Sequence, residues 1–100
     1  MNNLVVYIAG PITGYENGNK EAFDQAEKTI KEGDTSTVVL NPTCLPAGLT
    51  QFAYMDICLA MIRSCHVVYF LRGWESSEGA VAENSLAKKL KRHLIYEEDM

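Results

Sequence analysis

The sequence has few cysteines and no long apolar run, and it shows no sign of a targeting segment. Its three cysteines are an odd number without Cys-x-x-Cys spacing, so we expect free thiols of a reducing compartment and no metal site. No window approaches the roughly 18 apolar residues of a membrane-spanning helix. The start, MNNLVVYIAG, lacks the basic residues of a signal peptide. These absences predict a cytoplasmic protein without membrane contact.

Positive charge is also scarce. Nine basic and 13 acidic residues give a formal net charge of −4, which disfavours binding to a nucleic acid polymer. The one basic cluster, KKLKRH at 88–93, is typical of the solvated last turn of a helix, where cations interact favourably with the helix dipole. With 47% apolar and 22% charged residues over 100 positions, the composition is that of one ordinary globular domain, residues 1–100.

Strand and helix patterns alternate along the chain. Short β-branched apolar runs predict buried strands, and longer amphipathic segments predict helices. The order β-α-β-α-β-α-β predicts an α/β three-layer sandwich, flavodoxin- or Rossmann-like, with a four-stranded parallel sheet. The predicted strands are 4–10, 36–42, 65–71 and 93–97, and the predicted helices are 19–33, 50–64 and 76–92.

The helix ends and the apolar faces of the helices are also predictable. Asn19 and Thr50 stand where they could cap the first two helices. The second helix carries apolar residues at helical spacing, which predict a buried stripe. That stripe comprises Phe52, Met55, Leu59 and Ile62. Further apolar residues nearly complete its circumference, so we expect this helix to form a homodimer interface.

The first strand runs into the loop of VYIAGPITG. Gly10 would let the backbone approach a ligand, and Pro11 would stiffen the loop before Ile12. The segment is neither a phosphate-binding Gly-x-x-x-x-Gly-Lys-Ser/Thr loop nor a dinucleotide fingerprint, and no cofactor is expected. Tyr7 lies within the strand, where its hydroxyl needs a partner. It is either a core tyrosine or a residue of a site.

The third helix opens with an anion-binding pattern in GWESSEGAVAEN. Ser76 or Ser77 can cap it and leave the amides of Glu78, Gly79 and Ala80 free for a phosphate. Glu83 follows Gly79 by four residues, so the two share a face. The alternative is a serine cap followed by a solvated glutamate.

Asp56 in the second helix borders the predicted apolar stripe. An ionised carboxylate there is costly unless it is paired or functional. Its position near the start of the helix, where the dipole favours negative charge, is the simpler explanation.

Together, VYIAGPITG, Asp56 and SSEGAVAE resemble the nucleoside 2-deoxyribosyltransferase superfamily over nearly the whole chain, most closely its short phage and bacterial members of unassigned function. The resemblance implies that Glu83 attacks C1′ of a 2-deoxyribosyl group, that Tyr7 orients Glu83, and that Asp56 handles the proton of the leaving base. Ser77 matches a phosphate-binding serine of the deoxynucleoside 5′-monophosphate N-glycosidases, which this chain also resembles.

The resemblance implies a nucleoside or nucleotide ligand and a homodimer or larger homo-oligomer in a bacterial or phage-infected host cytoplasm. It implies N-glycosidic bond cleavage or base exchange, with substrate contacts from the first loop and from Ser77, Gly79 and Ala80. Cleavage builds positive charge on the sugar, which a carboxylate under C1′ stabilises. Two alternatives remain on the same fold: a catalytically silent nucleotide-binding protein, and a phage-type protein that binds a host protein.

Overall fold

The computed structural model describes residues 3–97, in which four strands alternate with three α-helices. Every predicted element is found in the predicted order, with slightly shorter bounds. The strands are β1 (Val5–Ala9), β2 (Val38–Leu40), β3 (Val67–Phe70) and β4 (His93–Tyr96), and the helices are α1 (Lys20–Gly33), α2 (Gln51–Ser64) and α3 (Glu78–Lys89). Within residues 3–97, every helix is too short or too polar to cross a lipid bilayer.

The four strands form one parallel sheet in the order β2-β1-β3-β4. This confirms the predicted four-stranded parallel α/β fold. From β1 the chain passes to β2, which lies beside β1 at one edge of the sheet, and later to β3, which lies on the other side of β1. The strand order therefore reverses at β1, and ligands of open parallel sheets bind at such a point, beyond the carboxyl ends of the strands.

Alternating side chains of β1 enter two separate cores. Val6 and Ile8 pack on one face of the sheet with Phe23 of α1. Tyr7 and Ala9 pack on the opposite face, which α2 and α3 cover. The sheet is therefore the middle of three layers. Because a strand alternates its side chains between faces, Tyr7 necessarily points toward α2 and α3.

Two of the three predicted helix caps are confirmed. The side-chain oxygen of Thr50 accepts a hydrogen bond from the backbone N–H of Ala53 at 3.0 Å, and Ser77 rather than Ser76 caps α3. The prediction for Asn19 was wrong, because its side chain makes no capping bond and donates instead to the carbonyl of Pro11 at 2.9 Å. Its φ of 63° lies in the left-handed region. Its hydrogen bond to Pro11 closes the loop after β1.

The predicted buried stripe of α2 was wrong at Phe52, whose side chain is 85% exposed. Ile62 is buried, and Met55 and Leu59 are half-buried. The buried side of the helix runs through Cys58 and Ile62, and Phe52 lies well to one side of that line. In a helix that is apolar nearly all round, the sequence does not specify which face is buried. Packing against Tyr7 and its neighbours buried a face other than the predicted stripe.

Candidate functional site

A cavity of about 550 Å³ lies at the carboxyl ends of the strands. The loops after β1, β2 and β3 form its walls, together with the first half of α2 and the N-terminal half of α3. The residues that line it include Tyr7, Ile12, Lys20, Thr43, Cys58, Ser77 and Glu83. A cavity of this size is within the range of small-molecule sites.

Tyr7 and Glu83 meet at this cavity, although 76 residues separate them in the chain. The Tyr7 hydroxyl donates a hydrogen bond of 2.5 Å to Oε2 of Glu83. Tyr7 is 1% exposed and Glu83 is 7% exposed. The hydroxyl therefore has the partner that its burial requires, and the carboxyl group is held in one orientation beside the cavity.

Burial also changes the acidity of this pair. It raises the pKa of Glu83 from 4.5 to about 7, although the hydrogen bond from Tyr7 favours the ionised form and opposes that rise. Burial and the neighbouring Glu83 carboxylate raise the pKa of Tyr7 well above 10. At neutral pH, Tyr7 consequently keeps its proton and donates a hydrogen bond with it. Glu83 is present in both its protonated and its ionised forms.

The N-terminus of α3 forms another wall of the cavity. The hydroxyl oxygen of Ser77 accepts a hydrogen bond from the N–H of Ala80 at 3.2 Å, so the prediction that the Ala80 amide is free was wrong. Ser77, Gly79 and Ala80 all line the cavity. The flanking acids Glu75 and Glu78 are exposed and do not line it. The helix end can thus meet an anion without repulsion from these two carboxylates inside the cavity.

The loop after β1 contributes two of its three predicted ligand-contacting residues. Gly10 and Ile12 line the cavity, whereas Pro11 does not and is fully buried. A Cβ on Gly10 would lie only 2.8 Å from the side chain of Leu71, so any larger residue would push β1 and β3 apart. Pro11 therefore supports the loop through its packing and through its carbonyl, which accepts the hydrogen bond from Asn19, and it does not line the cavity.

Asp56 is exposed and does not line the cavity. It is one helical turn from Phe52, on the side of α2 that faces away from the buried line through Cys58 and Ile62. The rotation of α2 that exposed Phe52 also removed Asp56 from the site of this chain. A proton-handling role for Asp56 therefore has no geometric support within one copy.

Sequence reasoning missed Cys58 and Lys20. The Cys58 thiol lies beside the Tyr7 hydroxyl, and burial raises the pKa of this thiol. Cys58 lies one helical turn after Tyr54, which also lines the cavity. Both residues could have been identified from the sequence if the buried side of α2 had been known. Lys20 is the first residue of α1 and directly follows the first loop. This position beside the loop could have identified it as a residue that lines the cavity.

Three comparisons bear on this arrangement. The family model described as "Domain of unknown function (DUF4406)" matches residues 4–96. Among solved structures, a 2-desoxiribosyltransferase from Leishmania mexicana superposes with a TM-score of 0.74 at 23% sequence identity, over 93% of this chain and 63% of that protein. This likeness shows a deoxyribosyltransferase-like fold, and the chain spans less than two thirds of that protein's length. A search of curated proteins returns no match.

Proposed function

We propose that this chain, which belongs to the DUF4406 family of domains of unknown function, is a single deoxyribosyltransferase-like domain that cleaves N-glycosidic bonds of 2′-deoxynucleosides or their 5′-monophosphates. Its fold is shared with a protein named as a 2-desoxiribosyltransferase. The observation that carries the proposal is the buried Tyr7–Glu83 hydrogen bond at the edge of the cavity. A carboxylate held by one hydroxyl and open to a cavity is suited to attack an anomeric carbon.

The reaction has two steps. An oxygen of ionised Glu83 forms a bond to C1′ as the bond between C1′ and the base nitrogen breaks, and the bonding electron pair leaves with the base. Water then attacks C1′ and loses one proton, which the departed base takes up, while the ester to Glu83 breaks and the carboxylate is regenerated. Attack by a second base in place of water gives base exchange. Tyr7 keeps the carboxylate oriented through its hydrogen bond without transferring its own proton to it, because the hydroxyl is the weaker acid.

One observation favours a second candidate, a protein that binds nucleotides without turning them over. Asp56, to which the resemblance assigned the proton of the leaving base, lies outside the cavity. The two functions are distinguished by incubating the purified protein with deoxynucleosides and their 5′-monophosphates and measuring free base by chromatography. Release of base supports the enzyme. Binding by calorimetry without release supports the binding protein.

Ser77→Ala should weaken the binding of a deoxynucleoside 5′-monophosphate about 10- to 100-fold and leave that of the free deoxynucleoside unchanged. The substitution removes one charge-assisted hydrogen bond to phosphate, worth about 1.5–3 kcal/mol. Calorimetric titration of both ligands measures the difference.

Ser77→Ala also removes a helix cap, at a cost of about 1 kcal/mol of stability. Thr50→Ala is the matched control, because it removes the cap of α2 and Thr50 does not line the cavity. An equal loss of affinity for nucleoside and monophosphate in Ser77→Ala would place the phosphate elsewhere.

We also propose a homodimer through the outer face of α2. Phe52 is 85% exposed there, the highest exposed fraction of any large apolar residue within residues 3–97, and a second copy could cover it. Phe52→Glu should raise the dimer dissociation constant about 30-fold or more, as for a central interface residue, without lowering the stability of one copy. Light scattering across a concentration series measures this. Val81→Glu, an exposed apolar site on α3, is the control, and a wild-type protein that is monomeric at micromolar concentration contradicts the proposal.

A further inference from the structure

A hydrogen-bonded network orients the carboxylate that pairs with a half-exposed lysine at the edge of the cavity. Asn41, only 7% exposed, donates from Nδ2 to Oδ1 of Asp24 at 2.9 Å and to Oε1 of Glu27 at 3.0 Å. Oγ1 of Thr43 lies 3.4 Å from the same Oδ1, and Nζ of Lys20 lies 3.1 Å from Oδ2. A buried amide thus orients the Asp24 carboxylate, and that carboxylate holds the Lys20 ammonium group.

Lys20 is the only cationic side chain among the described residues that line the cavity. Its ammonium group has three N–H donors, and Asp24 occupies one of them. Asp24 itself does not line the cavity, and the hydrogen bond from Lys20 is the main cause of its lowered pKa. The pair therefore presents its positive end to a ligand, with donors still free.

Strand order and the contacts of Asp24 with Asn41 and Thr43 together place Lys20 toward the β2 side of the cavity, away from the proposed phosphate site. Ser77 follows β3, Thr43 follows β2, and β1 with Tyr7 lies between these strands. At about 4.8 Å per strand, the two walls are roughly 10 Å apart. The base and the 5′-phosphate are attached at opposite ends of a deoxyribose ring. With the phosphate at Ser77 and C1′ over Glu83, the base extends toward β2 and Lys20.

We infer that Lys20 contacts the nucleobase and stabilises the negative charge that the base acquires as it leaves. This inference rests on the proposed function. As the bond to C1′ breaks, the electron pair stays on the base nitrogen and is delocalised onto a conjugated carbonyl oxygen. An N–H of Lys20 donates a hydrogen bond to that oxygen, and the base later takes a proton from water.

The substrate is accordingly a deoxynucleotide whose base carries a carbonyl oxygen conjugated with the glycosidic nitrogen. Uracil, thymine, cytosine, guanine and hypoxanthine have such an oxygen, and adenine does not. Lys20 thus replaces, by electrostatic stabilisation, the proton donor that was expected at Asp56. A fixed cation at the point where charge develops is an effective form of such stabilisation.

The first test compares leaving groups. Rates of base release are measured for 2′-deoxyuridine 5′-monophosphate and its 5-fluoro analogue, whose base is a better leaving group of nearly the same shape. Lys20→Met should slow the uracil substrate about 10²-fold and the 5-fluoro substrate clearly less, because the better leaving group needs less stabilisation. Lys20→Arg should retain most of the rate. Lys28→Met, at an exposed position further along α1, should have no effect.

Equal slowing of both substrates overturns the role of Lys20 and leaves the proposed function intact. A wild-type protein that releases no base overturns the proposed function instead, and calorimetry then tests the contact by itself. Lys20→Met should weaken the deoxyuridine monophosphate about tenfold and leave 2-deoxyribose 5-phosphate, which lacks a base, unchanged. If both ligands are weakened equally, or neither is weakened, Lys20 does not contact the base.

Discussion

Glu83→Gln should lower the rate of base release by about 10³-fold or more while nucleotide binding is retained. Glutamine preserves the size of the side chain and can still accept the hydrogen bond from Tyr7, but its amide is not a nucleophile at C1′. Binding should be equal or slightly tighter, because the variant removes a negative charge from the cavity that we propose to hold a phosphate. Rates of base release and calorimetric affinities for the same monophosphate measure the two effects.

Glu78→Gln is the matched control for this prediction. Glu78 opens the same helix, is exposed and does not line the cavity, so its neutralisation should leave the rate within about twofold of wild type. A Glu83→Gln protein that binds nucleotide and still releases base at a wild-type rate contradicts the assignment of Glu83 as the nucleophile.

The same substitution should stabilise the fold at alkaline pH. Burial raises the pKa of Glu83 to about 7 in the folded protein, against an ordinary value of 4.5 in the unfolded chain. Between these two values the folded state keeps a proton that the unfolded state releases, so the free energy of unfolding falls as pH rises through this window. The loss totals about 3 kcal/mol at about 1.4 kcal/mol per pKa unit, and it is complete above pH 7.

Glutamine does not titrate, so Glu83→Gln lacks this loss. Relative to wild type, the variant should gain about 3 kcal/mol between pH 4.5 and pH 8, or roughly 10–20 °C in Tm for a domain of this size. Denaturant unfolding at the two pH values measures the change. Tyr7→Phe should act in the opposite direction, since loss of its hydrogen bond raises the pKa of Glu83 further and extends the window above pH 7. A wild-type stability that is flat from pH 4.5 to pH 8 contradicts the prediction.

Such a carboxylate is unfavourable for stability and useful for reactivity. The fold buries Glu83 where its ionised form is destabilised, and an ionised carboxylate with little solvation is a stronger nucleophile than a solvated one. Stability would favour an amide at this position. The retention of a carboxyl group in a buried, cavity-facing position is the kind of local cost that accompanies functional sites.

The sequence by itself determined the order of the strands and helices. Apolar runs alternating with amphipathic segments specify a parallel α/β sheet, since each strand must be covered on both faces. The alternation of β1 sends Tyr7 to the face opposite Val6 and Ile8. The four-residue spacing put Gly79 and Glu83 on one face of their helix, but only the structure showed that Glu83 is buried against Tyr7.

Only the tertiary structure decided which side of α2 meets the cavity and which charged residue stands there. An α2 that is apolar nearly all round leaves its rotation about its own axis undetermined, and packing on the Tyr7 face exposed Phe52 and Asp56 while it turned Cys58 inward. Lys20 depends on a carboxylate oriented by Asn41, which is distant in sequence. Local periodicity records no contact between such separated segments, so both the rotation of α2 that leaves Asp56 outside the cavity and the orientation of Asp24 beside Lys20 depend on long-range packing.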